Sequence, residues 1–65
     1  MPIITASILA GRSADQKRAL IRALAEGAQR ALGVREEQVR VIITEVPPEH
    51  WGVGTRSKAD LEGPA

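Results

Sequence analysis

The chain has 65 residues, no cysteine and a single histidine, so one domain spanning residues 1–65 is expected, with no disulfide, no metal and no cofactor. Nine Lys and Arg against eight Asp and Glu leave a net charge of +1, a field too weak to argue for a nucleic acid or an anionic membrane as partner. A chain this short buries too small a share of its surface to stand alone, and self-association is the support that remains; a 43% hydrophobic content built almost entirely from Ala, Ile, Leu and Val suits packed layers between subunits.

The first predicted element is a strand, Pro2-Ile3-Ile4-Thr5-Ala6-Ser7-Ile8-Leu9, rich in the β-branched residues that fit a buried sheet. Pro2 follows Met1 directly. Removal of Met1 exposes a secondary amine, which no other coded residue supplies, at the start of a strand in a packed interior. Desolvation and nearby cations both disfavour the ammonium form, so such an amine serves as a general base near neutral pH. Taken alone, Met-Pro also has a plain structural reading, because proline is tolerated as the first residue of a strand.

Ala10-Gly11-Arg12 forms a short loop, and Ser13-Ala14-Asp15-Gln16 then reads as a capping box that opens a helix over residues 14–32. Leu20, Ile21, Leu24, Ala25, Ala28, Ala31 and Leu32 recur at helical spacing, with Lys17, Arg18, Arg22, Glu26 and Arg30 largely on the other side. Gly33 stands where a left-handed C-cap is wanted. After a polar stretch, Val39-Arg40-Val41-Ile42-Ile43-Thr44-Glu45-Val46 is the clearest strand of the chain. A helical crossover makes the two strands parallel neighbours. One helix covers one face of the sheet, so the other face, with residues from Ile3, Ile8, Val41 or Ile43, requires a second subunit.

Pro47-Pro48 stops the second strand, and Glu49 to Ser57 has the glycine spacing of a turn or small hairpin, with Trp51 exposed on it. Gly52-Val53-Gly54 lacks the third glycine and the strand-to-helix context of a dinucleotide site. Lys58 to Ala65 is read as a frayed tail, or one draped on a neighbouring subunit. No apolar run approaches the span of a bilayer and the start lacks the features of a signal peptide, so a cytoplasmic protein is expected.

Arg12, Arg40 and Trp51 join Pro2 as candidates, each with a plain reading of its own: a solvated loop charge, an outward strand residue, a plug between subunits. Together they resemble a known pattern. Pro2-Ile3-Ile4, Ile8-Leu9-Ala10-Gly11-Arg12-Ser13 followed by Asp15-Gln16-Lys17, Val39 to Glu45, and His50-Trp51-Gly52-Val53-Gly54 are similar in order and spacing to the 4-oxalocrotonate tautomerase family, also called 2-hydroxymuconate tautomerase, within the tautomerase superfamily. Trp51 departs from the phenylalanine of the best-studied members and Ala10 from a common acidic residue.

The resemblance implies an α/β fold, a βαβ protomer with a short C-terminal hairpin, assembled as a homohexamer, a trimer of dimers, whose active sites draw on neighbouring subunits. It implies that Pro2, freed of Met1, is the general base acting on an enol or unsaturated keto acid. Arg40 then engages the 2-oxo and adjacent carboxylate region, Arg12 holds the distal carboxylate, and Leu9 and Trp51 line the site. Guanidinium forks suit planar carboxylates, and a cationic donor at the carbonyl oxygen stabilises the enolate. Two other readings stay open: a superfamily hydratase, dehalogenase or decarboxylase using the same proline, disfavoured by the lack of an acidic water activator, and a catalytically silent assembly module.

Overall fold

The computed structural model describes residues 2–63. Met1, whose removal the proline chemistry needs, and Pro64 and Ala65 of the tail lie outside the described residues. Strand β1 (Ile3–Leu9) leads into helix α1 (Ala14–Leu32), a 3₁₀ turn at Glu36–Gln38, strand β2 (Arg40–Val46), a second 3₁₀ turn at Pro48–His50, the hairpin β3 (Gly52–Val53) and β4 (Arg56–Ser57), and a short helix α2 (Lys58–Glu62). The strands β1 and β2 pair in parallel from Ile3 opposite Arg40 to Leu9 opposite Val46. The expected strand–helix–strand unit and small hairpin are both present.

Helix α1 starts and stops for the reasons its sequence supplies. The Ser13 hydroxyl accepts from the Gln16 backbone N–H at 3.1 Å, and the Ser13 N–H donates to the Gln16 side-chain oxygen at 3.0 Å. At the other end Gly33 takes φ +68°, and its N–H closes on the Gln29 carbonyl at 2.9 Å. A Cβ at Gly33 meets no neighbour, so the cost of Gly33→Ala is conformational. The variant is expected to lose about 1 kcal/mol, read as a lowered thermal midpoint at fixed protein concentration.

Side-chain alternation fixes which face of the sheet the helix covers. Ile4, Ala6 and Ile8 of β1 and Val41 and Ile43 of β2 are half-buried, while Ile3, Thr5, Ser7, Arg40, Ile42 and Thr44 are exposed. Ile8 lines a pocket with Leu20 of α1, and Glu45, two residues beyond Ile43, pairs with Lys17 of α1. The covered face therefore carries Ile4, Ala6, Ile8, Val41 and Ile43. The expectation that Ile8, Val41 and Ile43 share the bare face with Ile3 is corrected: that face carries Ile3 and Ile42, 66% and 51% exposed. Side chains of one parity share a face, and Ile3 and Ile8 differ in parity.

The C-terminal segment is also more ordered than a frayed tail. The Ser57 hydroxyl accepts from the Asp60 N–H at 3.1 Å and caps α2. Helix α2 packs on the Pro48–His50 turn and on β4, so the segment from residue 48 to 62 forms an arm supported largely by itself.

No described residue is fully buried. The chain extends over 46 × 24 × 13 Å with a radius of gyration of 15.1 Å, where a compact chain of this length has about 11 Å. Its accessible surface is 4961 Å², against roughly 4,000 Å² for a compact monomer of this size. Ile21 and Leu32, assigned to the packing face of the helix, remain 41% and 61% exposed. The apolar stripe of α1 is wider than one protomer covers. Within one protomer the described residues form no buried core.

Candidate active site

The five candidate residues fall into two groups at opposite ends of the two-stranded sheet. Pro2 and Arg40 stand at the end where both strands begin. The Pro2 carbonyl accepts from the Arg40 backbone N–H at 3.0 Å, so parallel pairing holds the proline beside the start of β2. Pro2 is half-exposed, and the packed interior expected around its nitrogen is not supplied by its own protomer. The Arg40 side chain is exposed, and one guanidinium nitrogen donates to the Glu37 carbonyl at 2.7 Å and the Val39 carbonyl at 3.3 Å. These bonds aim the side chain while leaving other guanidinium donors for a planar anion.

Leu9, Arg12 and Trp51 stand at the end where both strands finish. Leu9 is the last residue of β1 and half-buried. The next residue, Ala10, donates its N–H to the Val46 carbonyl at 2.9 Å, carrying the ladder one step beyond the strand. Gly11 then takes φ +119°, a conformation open to glycine and strained for other residues, and turns the chain into the helix cap. Arg12 projects from this turn, exposed and without an ion-pair partner among the described residues. It lines a pocket of about 230 Å³ with Ile8, Gln16, Lys17 and Leu20.

Trp51 differs from its expected place. It precedes the hairpin instead of riding on it, and it is half-buried. Its N–H donates to the Pro48 carbonyl at 3.2 Å and its carbonyl accepts from the Lys58 N–H at 2.7 Å, so α2 and the 3₁₀ turn both fix its backbone. Seven residue steps from Pro2 to Leu9 amount to about 23 Å of strand. No single protomer brings the Pro2 end to the Arg12 end.

Sequence reasoning passed over two residues here, Lys17 and Glu45. Lys17 falls on the polar side of the predicted helix and Glu45 within the predicted second strand. The Lys17 ammonium lies 2.8 Å from a Glu45 carboxylate oxygen, with side chains 31% and 38% exposed. Of the four ion pairs among the described residues it alone joins α1 to the sheet, and its signal in the sequence is a lone acid near the end of an apolar strand.

The two-stranded parallel sheet with one covering helix and a small hairpin has counterparts among known proteins. Residues 2–61 match the family described as tautomerase enzyme. A 2-hydroxymuconate tautomerase of Pseudomonas putida is 52% identical over 61 residues, 94% of this chain and 97% of that protein. Among solved structures, the heterohexameric 4-oxalocrotonate tautomerase of Chloroflexus aurantiacus J-10-fl superposes with a TM-score of 0.89 at 48% identity, covering 94% of this chain and 98% of that one. TomN, a 4-oxalocrotonate tautomerase homologue in the tomaymycin biosynthetic pathway, superposes with a TM-score of 0.93 at 44% identity over 97% of each chain. The chain belongs to the 4-oxalocrotonate (2-hydroxymuconate) tautomerase family of the tautomerase superfamily, and it is a keto–enol tautomerase. No helix among the described residues is long and apolar enough to cross a membrane.

Proposed function

We propose that this tautomerase, with residues 1–65 acting as one domain, moves a proton in a 2-hydroxymuconate-like enol or unsaturated 2-oxo acid. Its base is the Pro2 amine exposed by removal of Met1. The observation that carries the reading is the division of the site: Pro2 and Arg40 at one end of the sheet, Leu9, Arg12 and Trp51 at the other, on a protomer with no buried residue among those described. A complete site arises where copies meet, and a homohexamer built as a trimer of dimers supplies such junctions repeatedly.

The neutral amine takes a proton from the enol hydroxyl or from the carbon beside the carbonyl. Either way the product is the same dienolate, its negative charge shared between the oxygen and the far carbon of the conjugated system. Arg40 stabilises that oxyanion by charge-assisted hydrogen bonds, which strengthen as negative charge develops there. The prolinium then returns the proton to the other end of the conjugated system and is neutral again. Composition is unchanged and one base closes the cycle. Arg12 holds the far carboxylate, while Leu9 and Trp51 form apolar walls that keep water from the amine.

The relative at 52% identity named for 2-hydroxymuconate favours a dicarboxylate substrate. The test is an ultraviolet assay of Met1-free protein on 2-hydroxymuconate and on the monoacid phenylenolpyruvate. Arg12→Ala is expected to raise KM for the diacid about tenfold and to affect the monoacid much less, whereas Arg40→Ala lowers kcat for both by about 10²-fold. Wild-type turnover of neither compound refutes the substrate reading, and equal effects of the two arginines refute their division of labour.

A further inference from the structure

The pocket that presents Arg12 contains a second cation, and the fold neutralises it. Lys17 lines the same pocket as Arg12, Ile8, Gln16 and Leu20. Its ammonium is held at 2.8 Å by Glu45, which arrives from the far end of β2. The other charges of the first helical turn also cancel, since Asp15 pairs with Arg18. Gln16 is neutral, and its side-chain oxygen is occupied by the Ser13 N–H at 3.0 Å. Among the described residues, what the pocket offers an anion is therefore one uncompensated charge, Arg12, between the apolar walls of Ile8 and Leu20.

We propose that Glu45, acting through Lys17, is a specificity residue that limits the Arg12 pocket to a single carboxylate. The proposal rests on the reading that Arg12 holds the far carboxylate of a diacid. With Glu45 in place, one carboxylate meets one guanidinium, and a bound diacid leaves no excess charge at this end. Without Glu45, Lys17 becomes a second free cation beside Arg12 and strengthens the hold on any anion there. Without Lys17, the Glu45 carboxylate stands uncompensated and repels the same anion. The two substitutions thus act with opposite signs on one equilibrium. A pair that merely fastens the helix to the sheet makes both variants worse.

The probes are cis,cis-muconate, a six-carbon dicarboxylate with no enol to turn over, and sorbate, a monocarboxylate of the same length. Both are titrated calorimetrically into the assembled protein at low salt. Glu45→Gln is expected to tighten muconate binding about three- to tenfold, Lys17→Met to weaken it by a similar factor, and the double variant to return to within about twofold of wild type. Sorbate, without the second carboxylate, moves less. If Lys17→Met folds poorly, Glu45→Gln carries the test alone, because a damaged site does not gain affinity. Unchanged or weakened muconate binding in Glu45→Gln overturns the proposal, as does an equal shift for sorbate or a wild-type protein that binds no muconate. Wild-type turnover of 2-hydroxymuconate, followed alongside, separates the two readings: its absence refutes the substrate assignment and leaves the muconate comparison to decide the role of Glu45.

Discussion

Replacing Ile42 by glutamate is expected to leave no folded protein at micromolar concentration. Ile42 sits in the middle of β2 on the bare face of the sheet, opposite Thr5 and 51% exposed in the protomer. A lone two-stranded sheet with one helix on one side has no second layer, and no described residue is buried without one. Covering the half of Ile42 that remains exposed contributes about 1 kcal/mol per subunit. A carboxylate there forfeits that gain and adds the cost of removing a charge from water, several kcal/mol at each symmetric contact. The sum rivals the 5–15 kcal/mol by which whole domains are typically stable. Loss of assembly and loss of helix should coincide in sedimentation and far-ultraviolet circular dichroism, because the protomer has no fold to retreat to. Ile42→Val removes one methylene from the same contact and should cost about 1 kcal/mol with assembly intact. A well-folded Ile42→Glu monomer contradicts this account of where the core lies.

Local chemistry was the legible part of this chain. Ser13 and Gln16 cap α1, Gly33 ends it, and Pro47 follows the last residue of β2, because each acts through hydrogen bonds and dihedrals within a few residues. The phase of the strands was harder to read. Ile3-Ile4 and Val41-Ile42-Ile43 place apolar residues on both faces, as a sheet covered by its own helix on one side and by another subunit on the other requires. Alternation then gives no hint of which parity faces which layer. The sheet face is instead marked by polar residues: Glu45 shares its face with Val41 and Ile43 and reaches Lys17, whereas Arg40, Thr44, Thr5 and Ser7 lie on the other.

Helix α2 went unread because five residues are too few to show a period, although the Ser57-to-Asp60 spacing that caps it was present. The candidate site posed a different difficulty. Pro2, Arg12, Arg40 and Trp51 are separately ordinary, and within one protomer they remain so, since about 23 Å of strand divides them. What marks them as a set is the resemblance to a family, together with a protomer in which no described residue is buried.

Blocking the Pro2 amine is expected to remove most of the turnover while leaving the assembly intact. A chain that retains Met1 presents an amide at Pro2, which has no basicity, and the general-base contribution of about 10²- to 10⁴-fold should be lost in full. Pro2→Ala keeps an amine but gives up the secondary nitrogen and the ring that fixes its direction, so its loss should be smaller and still large, on the order of 10²-fold in kcat. Intact mass identifies which amino terminus is present, and sedimentation shows that both forms assemble. The pH profile supplies an independent sign. In the proposed assembled site, Arg12, Arg40 and apolar walls around the amine are expected to disfavour its ammonium form. The neutral amine is the active form of the proposed base, so kcat/KM should rise with pH as the ammonium loses its proton. Removing one cation by Arg12→Ala relieves part of the pressure, and the rising limb should move to higher pH. Full turnover in a chain shown by mass to retain Met1 refutes the proline mechanism, and a limb that does not move in Arg12→Ala places Arg12 away from the amine.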